Sequence, residues 1–150
     1  MSGPVENLCL SCGLCCDGAL FRQIALQEQE QPLAGGEPVL MQPCRFFDGT
    51  CTIYAERPAK CRTFQCLVLR QVRNGALSRT DADKLIRDAR ALIGRLDAAL
   101  PQAGMAMAVR VQRFLKDKGS ADRRATAQVQ LDVMAYKKLL SRFLGERTQG

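Results

Sequence analysis

The chain carries four cysteines within eight residues, in the segment CLSCGLCC that runs from Cys9 to Cys16. Four more cysteines follow, and none lies after residue 66 of the 150-residue chain. Thiols in such numbers can be paired as disulfides, buried as small hydrophobic groups, reactive, or bound to a metal. Histidine is absent, which excludes a Cys–His nucleophilic pair and the mixed cysteine–histidine zinc sites. The sequence therefore predicts that any metal in this chain is bound by cysteine sulfur.

The Cys-x-x-Cys spacing favours metal binding, because two intervening residues let a turn direct both sulfurs to one side while backbone amides donate to the thiolates. Here the spacing repeats at Cys9, Cys12 and Cys15, as in a bacterial ferredoxin loop whose fourth ligand comes from elsewhere. Since adjacent side chains point in different directions, we expect one of Cys15 and Cys16 to serve a second metal, another edge of a cluster, or the core. We predict that all eight thiols are metal ligands: Cys9, Cys12, Cys15, Cys16, Cys44, Cys51, Cys61 and Cys66.

The pairing of ligands is not determined by spacing. The simplest assignment groups Cys9, Cys12 and Cys15 with one remote sulfur, and Cys16 with the remaining three, but interleaved pairs are equally allowed. Burial as a small hydrophobic residue explains one or two cysteines, such as Cys66 in the segment CLVL, and does not explain the whole set. A thioredoxin-like redox motif fits poorly, because no βαβ pattern surrounds the cysteines.

The cellular compartment follows from the N-terminal pattern. The first residues lack the basic and apolar regions of a secretory signal, and the longest apolar run, residues 105–109, is too short to span a bilayer. The sequence therefore predicts a cytoplasmic protein without a membrane partner, in a compartment where thiols stay reduced.

Composition is that of an ordinary folded protein, with 47% hydrophobic and 25% charged residues. The formal charge of +7 suggests an acidic partner, but it counts every thiol as neutral. A metal centre with four thiolates carries about −2, so two such centres would reduce +7 to about +3. Metal ions are therefore the expected partners, nucleic acid is not expected, and a protein partner is left open.

The cysteine segment contains weak strand signals. Residues 19–26 partly alternate apolar and polar side chains and predict a short strand, and residues 27–31 are compatible with a helix that Pro32 and the following glycines interrupt. Residues 44–54 predict a β-hairpin around Asp48-Gly49, which would bring Cys44 and Cys51 together.

A helix is predicted from about residue 59 to residue 73, with Pro58 at its first position and Asn74-Gly75 as its C-terminal cap. Cys61 and Cys66 would then lie roughly 140° apart around the helix axis. A metal shared by these two cysteines would require a distorted helix end.

The remainder of the chain predicts three amphipathic helices. The first is capped by Thr80 and runs to Pro101, and the second covers residues 106–116 and ends near Gly119. The third begins near Ser120 and ends before Gly145. We predict a mostly helical α+β protein, with a cysteine-rich metal-binding module at residues 1–75 that includes a short β-hairpin. A helical segment at residues 76–150 packs on this module to form one compact domain.

Two stretches, CLSCGLCC and PCRFFDGTCTIYAERPAKCRTFQC (residues 43–66), resemble the YkgJ-type cysteine-cluster family of zinc- or iron-chelating CxxCxxCC domains. The resemblance covers roughly residues 8–70 and implies metal chelation by these cysteines. A more distant similarity is to flagellin lysine N-methylases, which use an iron–sulfur centre with S-adenosylmethionine. This chain is short for that activity and shows no glycine-rich strand-to-helix loop, so the enzymatic activity is not transferred.

The sequence thus predicts a protein that chelates zinc or a four-iron iron–sulfur cluster through its N-terminal cysteines. The alternatives are an iron–sulfur enzyme related to the lysine N-methylases and a zinc module that binds nucleic acid; whether the chain is an enzyme stays open. Arg57, Pro58 and Arg62 could support a metal centre from outside its ligands, but a surface arginine beside a turn is the commoner case. We therefore leave these three residues out of the predicted site.

Overall fold

The computed structural model describes residues 6–116 and 123–145 of the chain. Within these residues the protein is mostly helical, with a single two-stranded antiparallel sheet, which confirms the predicted α+β class. The α-helices are α1 (Glu6–Cys12), α2 (Ala59–Thr63), α3 (Leu67–Arg73), α4 (Arg79–Ala99), α5 (Met107–Lys116) and α6 (Arg123–Leu144). The strands are β1 (Gln23–Ala25) and β2 (Val39–Met41), and two short 3₁₀ helices span Glu28–Ala34 and Tyr54–Glu56.

Helices α4 and α6 pack against each other and form the centre of the hydrophobic core. Their buried residues follow the three-four spacing seen in the sequence and include Ile86, Leu92, Leu96, Val133 and Tyr136. The N-cap of α4 is Ser78, whose hydroxyl accepts from the Asp81 amide at 3.0 Å, and not Thr80 as predicted. The predicted helix boundaries at Gly119 and Ser120 lie outside the described residues.

One arginine of α5 donates hydrogen bonds to the carbonyl groups at the C-terminal end of α4. Arg110 is buried, and its guanidinium donates to the Leu100 carbonyl at 2.6 Å and to the Pro101 carbonyl at 2.9 Å. The same group pairs with the carboxylate of Asp97. The guanidinium therefore satisfies carbonyl groups at the C-terminal end of α4. Its own charge is paired with a carboxylate and is not left unpaired on burial.

The short strands pair antiparallel, with Ile24 opposite Leu40. β1 lies inside the strand predicted at residues 19–26, and the helix-compatible stretch becomes the 3₁₀ helix Glu28–Ala34, which ends at Gly35 in the left-handed region (φ 66°). The two strands are therefore joined by a long connection and not by a tight turn.

The hairpin predicted at residues 44–54 is confirmed at its closing pair, because Phe47 and Cys51 form an antiparallel bridge, but the pairing does not continue into a longer ladder. Strand side chains alternate faces, so a ladder continued from that bridge would place Cys44 on the face opposite to Cys51. Both cysteines instead border the same cavity. The chain reverses at Asp48-Gly49, but its two arms do not form regular strands.

The helix predicted at residues 59–73 is broken into α2 and α3. Phe64 adopts an extended conformation, and its ring lies 4.9 Å from that of Phe21 in an edge-to-face contact. Cys66 becomes the N-cap of α3, which ends at Asn74 and Gly75 as predicted. The break removes the fixed angular offset between Cys61 and Cys66 that a continuous helix would impose.

The cysteine segment shares its core with the helical segment. Leu8, Leu14 and Leu20 are buried in the same cluster as residues of α4 and α6. The described helices include none that is both long and apolar enough to cross a membrane.

Candidate metal centre

Helix α1 carries the first two cysteines. Cys9 and Cys12 are three residues apart on a helix and not in a turn as predicted, although this spacing also places them on one side. The helix ends at Gly13, whose φ of 71° lies in the left-handed region. Arg90 of α4 donates to the Cys12 carbonyl at 2.6 Å, so a side chain from the helical segment satisfies the end of α1.

A compact turn follows α1 and separates Cys15 from Cys16. The amides of Cys16 and Asp17 both donate to the Gly13 carbonyl, at 3.1 and 2.9 Å. Cys15 packs against the hydrophobic core, whereas the Cys16 carbonyl accepts from the Cys44 amide at 2.7 Å. The two adjacent cysteines therefore approach different parts of the molecule, as the sequence predicted.

Glu30 and the helix break position the last two cysteines. The Glu30 carboxylate accepts from the Ala59 amide at 2.7 Å, at the beginning of the helix that carries Cys61. Cys66 caps α3, where its sulfur accepts from the Leu69 amide at 3.3 Å. An amide that donates to a cysteine sulfur stabilises the thiolate form, which is the form that binds metals.

All eight cysteines border one cavity of about 160 Å³. This volume is well above the space that one water molecule needs, so the sulfurs border open space and not a close-packed interior. The other walls are largely aliphatic and aromatic, and they include Leu14, Phe21 and Val68. One polar group stands out: Gln42 is only 5% exposed, and its buried Oε1 has no hydrogen-bond partner within the described structure.

Electrostatic interactions divide the eight thiols into two sets of four. We name the first set, Cys9, Cys12, Cys15 and Cys66, the inner thiol group. Burial, followed by the charges of Cys66 and Cys9, raises the pKa of Cys12 to about 12. Burial also raises the pKa of Cys15 well above its ordinary value, with Cys12 and Cys66 as the next causes. Cys16 acts on Cys15 as well, so the two sets adjoin at this peptide bond.

The second set, Cys16, Cys44, Cys51 and Cys61, is the outer thiol group. Burial raises the pKa of Cys16 to about 12, with the charges of Cys51, Cys44 and Cys61 as the next causes. Burial likewise raises the pKa of Cys61 to about 11, followed by the charges of Cys44 and Cys51. The electrostatic grouping is compatible with one of the assignments that the spacing allowed, in which Cys66 is the remote sulfur beside Cys9, Cys12 and Cys15.

The thiols surround the cavity without closing on a common centre. Across residues 6–116 and 123–145, no three cysteine, aspartate or glutamate side chains are arranged so that they could hold a metal ion. All eight cysteines, each of which is described, are free of disulfide bonds. A zinc–sulfur bond of about 2.3 Å places the sulfurs of a tetrahedral site about 3.8 Å apart. The donor set thus fits a thiolate centre in chemistry and number, and four-fold ligation requires the sulfurs to move inward.

Sequence reasoning missed two residues that position the cysteines. Arg90 lies 78 residues from the Cys12 carbonyl that it contacts, and Glu30 lies 29 residues from the Ala59 amide. Neither belongs to a motif around the cysteines, because each acts only after distant segments pack together. The one local signal was the acidic character of residues 28–30, which is common on protein surfaces.

No protein-family model, no curated protein and no solved structure matches this chain. Three features of the chain support a metal centre: the eight sulfur donors, their arrangement around the cavity and the CxxCxxCC motif.

Proposed function

We propose that this chain is a metal-binding protein whose inner and outer thiol groups each hold a zinc ion or an iron–sulfur cluster. The observation that carries the proposal is the presence of all eight thiols on one cavity, in two sets of four. Four sulfur ligands are the number that structural zinc sites and iron–sulfur clusters require. The motif resemblance to the YkgJ-type family supports the same function.

Several backbone amides are placed to support thiolates at these positions. The Leu69 amide donates to the Cys66 sulfur at 3.3 Å, and hydrogen bonding by the backbone of Leu14 and of Phe46 opposes the rise in the pKa of Cys12 and of Cys44. These hydrogen bonds oppose the burial that otherwise favours neutral thiols. Since metal ligands must lose their protons, we expect apparent metal affinity to rise with pH.

The choice of metal decides what the centre does. A zinc ion with four thiolates leaves no open position, so its contribution would be to stabilise the irregular segments that carry the cysteines. An iron–sulfur cluster would supply electron transfer or redox sensing. We propose the cytoplasm as the location, because eight free cysteines suit a reducing compartment.

The experiment is purification without oxygen, followed by metal analysis and a visible absorption spectrum. We expect one centre in each thiol group, with broad charge-transfer absorption if the metal is iron and no visible colour if it is zinc. Zinc in aerobically produced protein would not identify the native metal, because zinc readily occupies sulfur sites built for iron.

Single substitutions then test the grouping. Cys12→Ser should remove the inner centre and Cys61→Ser the outer one, each lowering metal content by half, whereas the double variant should bind none. Met41→Ser is the control, since Met41 is 60% exposed and lies outside the cavity wall. Anaerobic protein that binds neither metal, or cysteine variants with unchanged metal content, would contradict the proposal.

A further inference from the structure

We infer that Arg57 is a positioning residue shared by both thiol groups, with a guanidinium that offsets the negative charge each group acquires on binding metal. The inference rests on the proposed function and adds a specific role for a side chain that the sequence analysis set aside. Arg57 is half-buried and borders the cavity that all eight cysteines line. It is therefore close to the thiols without being able to replace any of them as a ligand.

Two contacts fix the orientation of this arginine. Its Nη1 donates to the Tyr54 carbonyl at 2.8 Å, and its guanidinium carbon lies 3.8 Å from the centre of the Tyr54 ring. A cation at this distance over an aromatic face is attracted by the ring quadrupole. The planar guanidinium is thereby held in place before any metal binds, so little conformational freedom remains to be lost.

Arg57 is close in sequence to the outer group and borders the cavity that it shares with the inner group. It follows the 3₁₀ helix Tyr54–Glu56 and precedes Pro58, the N-cap of the helix that carries Cys61. Cys9 on α1 borders the same cavity as Arg57. Cys61 belongs to the outer thiol group and Cys9 to the inner one, so one oriented cation borders the cavity that members of both groups line.

The electrostatic effect has the same sign at both cysteines. Cys9 is exposed on one side, but the protein around its other side raises its pKa, and Arg57 together with Arg73 opposes that rise. At Cys61 burial raises the pKa, Arg57 opposes the rise, and the Glu30 carboxylate adds to it. Other arginines act on other cysteines: Arg45 on Cys44 and Arg70 on Cys66.

A shared cation matters because both proposed centres are negatively charged and border one cavity. Each centre of four thiolates carries a net negative charge. In a partly desolvated space the two charges repel each other, so metal binding at one group makes metal binding at the other less favourable. A fixed guanidinium on the wall of this cavity reduces the cost without adding a ligand. We therefore expect Arg57 to favour simultaneous occupancy of the two groups.

The test measures metal affinity separately in each group. A Cys61→Ser background leaves the inner group intact, and a Cys66→Ser background leaves the outer group intact. Cobalt(II) is titrated against a competing chelator under anaerobic conditions, with its thiolate charge-transfer absorption as the readout. We expect Arg57→Gln to weaken cobalt binding in both backgrounds by about 10- to 100-fold, the range found for residues that support metal ligands.

Three further variants separate charge from general structural effects. Arg57→Lys keeps the charge but not the planar fork, and we expect it to restore part of the lost affinity. Arg45→Gln should weaken mainly the outer group, because Arg45 acts on Cys44. Arg113→Gln, on the exposed face of α5, should change neither affinity.

The inference would be overturned if Arg57→Gln weakened only one group or behaved like Arg113→Gln. It would also be overturned if Arg57→Lys bound cobalt no better than Arg57→Gln and both variants lowered the thermal unfolding midpoint without metal, because that result indicates a purely structural role. If the unsubstituted protein bound neither cobalt nor zinc, the proposed function itself would fail, and this inference with it.

Discussion

The two thiol groups border one cavity but are attached to very different parts of the molecule. In the inner group, Cys12, Cys15 and Cys66 pack against the hydrophobic core, which also includes residues of α4 and α6. The outer group is carried by turns and by the five-residue helix α2. Cys16 and Cys44 are joined by a backbone hydrogen bond, and a single bridge joins Cys51 to Phe47.

This difference predicts two kinds of coupling between ligation and folding. Opening the inner group requires displacement of core residues, so its free energy cost approaches that of global unfolding. Segments with few buried apolar contacts open locally at much lower cost, which is the expectation for the outer group. Metal bound by the inner group should therefore stabilise the whole fold, and metal bound by the outer group should order mainly its own loops.

The largest expected effect comes from removing one ligand in each group. In metal-loaded protein, Cys66→Ser should lower the free energy of global unfolding by about 4 kcal/mol when free metal is a thousandfold above Kd. Cys61→Ser should lower it by clearly less. Serine is a good N-cap, so the start of α3 is preserved in the first variant. Chemical denaturation in a metal buffer measures both values, and equal losses would contradict the division.

The next effect tests the attachment of the inner group to the core. Leu14 is 0% exposed and lies between Cys12 and Cys15. Leu14→Ala should cost about 2–5 kcal/mol, because it leaves a cavity where the core cannot fully collapse. Ile53→Ala, at a half-buried residue near Cys51, is the matched change beside the outer group and should cost less. Urea denaturation compares them, and a larger loss for Ile53→Ala would reverse our ranking of the two groups.

A pair of glycines gives a sharper comparison at smaller magnitude. Gly13 and Gly49 both have a φ of 71°, so alanine at either site costs about 1–2 kcal/mol in backbone strain. A Cβ at Gly13 would lie 3.0 Å from the Phe47 ring and 3.1 Å from Arg90 Nη1, whereas nothing lies within 4 Å at Gly49. Gly13→Ala should therefore be the more destabilising variant in thermal unfolding. Equal unfolding midpoints for the two alanine variants would show that Phe47 and Arg90 can move away from the new methyl group without cost.

An effect of similar size concerns the hydrogen bond that joins α6 to the segment after Cys16. Tyr136 is buried, and its hydroxyl donates to the Ala19 carbonyl at 2.6 Å. Tyr136→Phe should cost about 1–2 kcal/mol at neutral pH, because the carbonyl loses its partner. Denaturation by urea at neutral pH provides the measurement.

The same tyrosine predicts a pH dependence. Burial, with a further contribution from the charge of Asp17, raises the pKa of Tyr136 above its ordinary value of 10.0. The stabilisation from this difference is present below about pH 10 and is lost as the pH rises further, since the unfolded chain ionises first. The gap between wild type and Tyr136→Phe should therefore narrow above pH 10, and a gap that widened would contradict the assigned cause.

The helical segment was largely predictable because its signals are local. Apolar residues at three-four spacing located α4, α5 and α6, and the Asn74-Gly75 pair marked the end of α3. The break between α2 and α3 has no local signal: the extended Phe64 at the break contacts Phe21, which is 43 residues earlier in the chain. The absence of a regular hairpin has a similar origin, since both of its cysteines face a cavity assembled from several segments.

The sequence by itself determined the donor chemistry. Eight cysteines without histidine leave sulfur as the ligand for any centre of the predicted kind, and the spacing of Cys9, Cys12 and Cys15 keeps these three close whatever the rest of the chain does. Only the tertiary structure decided which remote sulfur joins them and where the supporting charges lie. Cys66 joins the inner group because α3 packs on the core, and Arg57 lies at the wall of the shared cavity, where Tyr54 orients its guanidinium. Covalent spacing restricts only near neighbours along a chain, whereas contacts between distant segments depend on how their apolar faces pack.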